Sequence, residues 1–196
     1  FPSVRVLSQE LRVNPNTGTA VDGNNGGAVA VGTNPDGATN GSTTNVDAAA
    51  YTNNQPNNGG ITTLYTLDSV GNRLLLQNPP NVGTQITPLA VTLNGTALDF
   101  TAAGGFDIAA GVNVVASNGP VAAESALAVL TVSGVTSLYL IDLTTGAAGV
   151  VGPVGTGAAA VQGMAIRNDL GGLPVIALDA SGGGNLLRFL SSTPGT

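Results

Sequence analysis

The apolar residues of this chain fall in short runs, each closed by Gly, Asn, Pro or Asp and rich in Val, Leu, Ile or Thr. Runs of that length and composition read as strands. They predict strands at 11–14, 28–32, 62–68, 73–77, 86–93, 105–109, 112–116, 126–132, 137–142, 149–154, 163–167, 174–178 and 185–190. Asn-Gly stands at 25–26, 40–41, 58–59, 94–95 and 118–119. That pair tolerates positive φ at both residues and is the strongest short-range sign of a hairpin. One stretch, 122–130, fits a helix as well as a strand.

The pattern repeats itself. An aliphatic strand, an Asn or Asp, a short turn with Gly and a second strand occur as LRVNPNTGTAV at 11–21, LYTLDSVGNRLLL at 64–76 and LYLIDLTTGAAGVV at 138–151. A weaker copy, LLRFLSSTPGT, stands at 186–196, and a second element recurs as GFDIA at 105–109 and GMAIR at 163–167. Asn14, Asp68 and Asp142 start these turns, where a short acceptor side chain bonds backbone amides two residues on. Gly18, Gly71 and Gly146 are expected to end them in the left-handed conformation. Recurring units of this kind indicate blades or coils. The expected architecture is a single all-β domain over residues 1–196. It is a propeller-like array of about four short antiparallel blades, open or completed by strands from neighbouring subunits. Residues 22–47 and 52–60, dense in Asn, Gly, Thr and Pro, read as surface loops.

Composition narrows the chemistry. Only 8% of residues are charged, the net charge is −6 and the sequence has no Lys, His or Cys. The five cations, Arg5, Arg12, Arg73, Arg167 and Arg188, are scattered, so a nucleic-acid partner is not expected. Without Cys there are neither disulfides nor thiolate metal sites, and without Lys there is no P-loop. Most nucleophile–base pairs are unavailable for the same reason. Nine Asp and two Glu remain as acids or bases. A pair such as Asp99 and Asp107 could cleave a glycosidic bond, although turn capping accounts for most of the carboxylates. DGNNGG (22–27), NPDG (34–37) and DASGGGN (179–185) are oxygen-rich but lack the spacing of known calcium loops, so no metal and no cofactor is expected. Asn40 and Asn94 match the N-glycosylation pattern. Tyr51, Tyr65 and Tyr139 could stack a sugar, with packing between blades the plainer reading. Pro153 and many glycines break the most apolar region, 146–166, so no transmembrane helix is expected.

Several blocks resemble a known family. LRVNPNTG (11–18), AYTNN (50–54), TTLYTLD (62–68), QNPPNVGT (77–84) and GFDIA (105–109) occur in the order seen in a bacterial, mostly secreted, propeller-like family of unknown function, family 4394. QNPPNVG is the most specific of them, and the resemblance covers about residues 1–170. Family members tend to open with a segment similar to LPVIALDASGGGNLLRF and STPGT, which here lies at 173–189 and 192–196. The resemblance implies a permuted, shortened register and no assigned activity. The first residue is Phe, so a leader has been removed or the chain is a piece of something longer.

These readings converge on a secreted structural protein. Unpaired strand edges at 1–8 and 186–196 would pair with copies of the chain and build an extracellular filament or surface layer. The alternatives are a monomeric propeller that binds glycans or proteins, and a carboxylate-dependent glycoside hydrolase.

Overall fold

The computed structural model describes residues 14, 16–19, 37–55, 57–166, 174–179 and 186–190, the last two segments as backbone strands. Fourteen strands run in chain order: β1 (Asn40–Gly41), β2 (Ala48–Tyr51), β3 (Leu64–Asp68), β4 (Arg73–Gln77), β5 (Thr84–Ala90), β6 (Thr92–Leu93), β7 (Thr96–Ala97), β8 (Phe100–Asp107), β9 (Ser125–Val132), β10 (Val135–Asp142), β11 (Ala147–Pro153), β12 (Val161–Ile166), β13 (Pro174–Asp179) and β14 (Leu186–Leu190). A single 3-10 turn, Pro80–Val82, is the one helical element among the described residues. The fold is all-β, as the short apolar runs require.

Three sheets form. Sheet I has the order β1-β5-β4-β3-β2, sheet II β7-β6-β11-β10-β9-β8 and sheet III β12-β13-β14. Strands β2 to β5 and β8 to β11 are antiparallel meanders, each extended at its outer edge by a two-residue parallel pairing, β1 on β5 and β6 on β11. Tight hairpins follow from local backbone chemistry. Asn94 (φ 53) and Gly95 (φ 79) join β6 to β7, and Ser133 (φ 48) and Gly134 (φ 78) join β9 to β10. Two successive positive φ values give the turn whose twist matches that of the strands.

The sheets stack face to face. Tyr65, Leu67 and Leu74 of sheet I meet Phe100, Leu130 and Ile141 of sheet II in one buried core. The opposite face of sheet II, with Val129 and Leu138, closes on Val154 and Val161 in a second core. Small residues permit the second contact. A Cβ on Gly105 would lie 2.6 Å from the Met164 Cβ, and one on Gly104 would collide with the Val161 backbone, so the glycine pair lets β12 lie against β8. Strand β8 also packs against β2, so this edge strand of sheet II meets an edge strand of each of the other two sheets, β2 and β12.

The structure corrects several expectations. Residues 122–130 contain no helix; 125–132 form β9. Residues 112–116 form no strand, although Val112 and Val114 are buried. Residues 48–51 do form one, β2. The stretch 22–47 is not loop throughout, because Asn40–Gly41 pairs with β5. Nor is 52–60 wholly on the surface, since Thr52 and Asn53 are buried. The expected strands at 11–14 and 28–32 and the Asn-Gly pair at 25–26 lie outside the described residues, apart from Asn14.

Candidate functional site: turns, carboxylates and an open strand edge

The three repeated turns share one hydrogen-bond scheme. Asn14 Oδ1 accepts from the amides of Asn16 (2.9 Å) and Thr17 (3.3 Å). Asp68 Oδ1 accepts from Val70 (2.9 Å) and Gly71 (3.0 Å), and Asp142 Oδ1 from Thr144 (2.7 Å) and Thr145 (3.0 Å). In two copies the glycine four residues on donates its amide to the carbonyl of the capping residue, Gly18 to Asn14 and Gly146 to Asp142. Gly18 and Gly146 have φ of 69 and 77. Gly71 departs from the expectation: it is absent from the left-handed region, and the positive φ of this turn, 52, falls on Asn72. A Cβ on Gly71 would lie 2.6 Å from Asp68 Oδ2 and meet the Arg73 guanidinium, so these side-chain ends would have to shift to admit one.

Asn72 does more than close the turn. Its Oδ1 accepts from the Phe100 amide (2.9 Å) and its Nδ2 donates to Asp99 Oδ1 (3.2 Å), tying sheet I to the start of β8. The repeat nevertheless sits at different depths in the two sheets. Strands β3 and β4 are second and third from the β2 edge, whereas β10 and β11 are third and fourth from β8.

The carboxylates do not converge on a reaction centre. Asp99 precedes β8 and Asp107 ends it. Eight residues of extended chain at about 3.3 Å each separate them by roughly 25 Å, against about 5–10 Å for a glycosidase pair. Asp107 is a clamp: Oδ1 accepts from the Ile108 amide (2.9 Å) and Oδ2 from the Ile166 amide (2.6 Å) at the end of β12. Burial pushes its carboxyl above the usual aspartate range, against the lowering effect of those two amides. Asp142 moves the other way, held below its ordinary value chiefly by the Thr144 hydroxyl. Among the described residues, no three Asp or Glu side chains gather where a cation could be held.

The other sequence candidates are placed as follows. Asn40 is exposed, but its Nδ2 donates to Ala38 O (3.0 Å) and Val82 O (2.7 Å). Asn94 is exposed at the tip of the β6–β7 hairpin. Tyr65 and Tyr139 are buried in the same intersheet core, and Tyr51 pairs with Leu64 on the other face of sheet I, so the three present no common platform.

Asn53, Asn54 and Asn58, which have the composition of a loop, are structural. Asn53 Oδ1 accepts from the Val114 amide (2.8 Å) and its Nδ2 donates to the Val114 carbonyl (3.2 Å), copying a strand neighbour. Asn54 Nδ2 donates to Ile108 O (2.6 Å) and Asn58 Nδ2 to Asn53 O (2.8 Å). Burial of a polar side chain in the midst of a polar run leaves no mark on the sequence. The QNPPNVG block also has a role. Gly83 (φ 71) closes the 3-10 turn, its carbonyl accepts from the Asn40 amide (2.9 Å), and Asn81 O accepts from the Gly37 amide (2.9 Å). The block is the dock that seats β1.

What remains is an edge. Strand β11 is bonded to β10 along its length, but on its other side β6 covers only Ala147 and Ala148. Beyond them Val150 and Val151 are 55% and 54% exposed, next to Leu140 at 46%. The edge from 149 to 151 is uncharged and apolar, and has no partner strand among the described residues. The bulge opposite Leu138–Tyr139 and Pro153 limit its far end. In sheet III, β14 pairs with β13 alone among the described residues.

No helix among the described residues is long and apolar enough to cross a membrane. No curated protein and no solved structure matches the chain. A family model described as a domain of unknown function (DUF4394) does match, over residues 3–165, which include all three repeated turns, the QNPPNVG dock and the Asn53 clasp, and the chain belongs to that family.

Proposed function

We propose that this chain is a secreted structural subunit that associates with copies of itself by strand pairing, building an extracellular filament or surface layer. The observation that carries the reading is the edge of β11, where Val150 and Val151 lie more than half exposed and the backbone has no partner strand among the described residues. An apolar, uncharged edge is a template for another strand, and soluble proteins usually blunt it with charge. This chain has little charge to spend, with 8% charged residues and no Lys. The face-to-face stack of sheets, with edge strands β2 and β12 both packed against edge strand β8, suits a propeller-like arrangement, in which a strand added at a sheet edge continues the array. The distance between Asp99 and Asp107 removes the strongest candidate for hydrolysis. The burial of Tyr65 and Tyr139 removes the proposed sugar platform.

Electron microscopy of the purified protein over a concentration series tests the proposal. Ordered polymers or sheets at high concentration support it, and Val151→Lys should abolish them without loss of the β-sheet circular dichroism spectrum. Discrete single particles at every concentration would contradict it.

A further inference from the structure

Between sheet I and the loop residues 118–122 and 143–144 that flank sheet II lies a cavity of about 450 Å³, partly open to solvent. That volume falls within the range of small-molecule sites, about 300–1,000 Å³. Leu76, Ile86 and Leu89 form one wall, and Val121 and Leu143 form another. No charged side chain lines it. A charged ligand would be stripped of water there with nothing to balance it.

Thr87, Asn118 and Thr144 also line the cavity but are reached by solvent, whereas the polar group of Tyr65 is fully buried. Tyr65 lines the cavity and is 1% exposed. Its hydroxyl oxygen accepts from the Val121 amide at 2.9 Å, and among the described residues nothing accepts the hydroxyl's own proton. A phenol both donates and accepts, and a buried donor without an acceptor is disfavoured. Burial also pushes the Tyr65 pKa upward, so the proton is retained near neutral pH.

The rim is strained. Thr87, which lines the cavity, has φ 47 in front of Pro88. A β-branched residue rarely adopts that conformation, and a residue before proline normally stays extended. It sits in a bulge, since Leu74 pairs with Leu89 and Leu76 with Ile86. The bulge turns β5 out of register beside the cavity mouth, where the core would otherwise continue. Strain of this kind gathers where a structure holds a binding site open.

We propose that this cavity binds a neutral, largely apolar small molecule carrying one acceptor oxygen, such as an aliphatic ketone or ester, with the Tyr65 hydroxyl donating to that oxygen. The walls select for hydrocarbon and the absence of charge excludes carboxylates and amines. Tyr65 sets the orientation of the bound molecule, and the site is independent of the β11 edge.

Three probes of similar length separate the possibilities: 2-nonanone, nonane and nonanoate. Binding is followed through the amide shifts of Val121 and Leu143 and through tyrosine fluorescence, which no tryptophan obscures in this chain. Tyr65→Phe should weaken ketone binding about three- to tenfold, the worth of one hydrogen bond, and leave alkane binding unchanged. Nonanoate should bind weakest at neutral pH. Ala122→Phe, at a cavity-lining position exposed to solvent, should weaken ketone and alkane together. A ketone affinity unchanged by Tyr65→Phe, an equal loss of ketone and alkane binding in that variant, or no shift at Val121 with any probe would overturn the proposal. If Tyr65→Phe fails to fold, the Val121 shift with the ketone and its weakening in Ala122→Phe still decide.

Discussion

Single side chains do most of the unusual work in this molecule, and asparagine does more of it than any other residue type. Asn53 offers Val114 both a donor and an acceptor in a site that is only 6% exposed. Removing it leaves two buried backbone groups without partners. Asn53→Ala should therefore cost about 2–4 kcal/mol, read as a lower urea midpoint with an unchanged slope. An exposed asparagine such as Asn94 should cost far less on the same substitution. The aspartates make a prediction with opposite signs. Asp107 is raised by burial, so the folded protein holds that proton more tightly than the unfolded chain does. The stability linked to it is fully present below the ordinary aspartate value and is lost as pH rises through its folded value. Asp142 is lowered, so its contribution is present above the ordinary value and is lost as pH falls through its folded value. Carboxyl-carbon NMR during acidification should show Asp107 taking up its proton first and Asp142 after it; the reverse order would refute both assignments. Little of this was legible beforehand. The repeat marks Asp68 and Asp142 as turn residues, because a turn cap is a local arrangement written in neighbouring residues. Asn53 and Asp107 matter through partners 61 and 59 residues away, and no local pattern records such a partner.

At the scale of elements, the short runs bounded by Gly, Asn and Pro locate most strands closely: 73–77 coincides with β4, and 126–132 and 137–142 fall within β9 and β10. The misses have physical causes. Strand β2 reads AAAY, and alanine has no preference for a strand; pairing with β3 makes it one. Residues 112–116 alternate like a strand, but Val115 is 99% exposed and the Asn53 clasp holds the neighbouring backbone as a loop. Two glycines separate the effects of conformation and space. Gly95 has φ 79 and nothing within 4 Å of a built Cβ, so Gly95→Ala should cost only about 1 kcal/mol of backbone strain. Gly83 has φ 71 and its Cβ would lie 2.5 Å from Gly37 O and 2.7 Å from Ala38 O. Gly83→Ala should therefore also dislodge β1. Hydrogen exchange should accelerate at the amides of Asn40 and Ser42, which bond to Gly83 O and Gln85 O, and stay unchanged across β9 and β10. Equal exchange at all four places would show that β1 is not seated on that turn.

At the scale of the whole molecule, the described residues form a stack of small-residue sheets with few charges, in which β11 beyond Ala148 and the outer side of β14 have no partner strand among those residues. The all-β class was visible in the spacing of turns, and the family in a handful of blocks. The β11 edge was not, because GVVGP has the same composition as a buried strand. Its exposure depends on β6 stopping after two residues. The proposed edge pairing between copies would bury the apolar surface at Leu140, Val150 and Val151 and calls for no catalytic group. The most direct measurement is hydrogen–deuterium exchange at residues 149–151, taken at low and high protein concentration. Strand pairing predicts that these amides become protected as concentration rises, with Val151→Lys removing the effect; exchange that is rapid and identical at every concentration would contradict self-assembly through this edge.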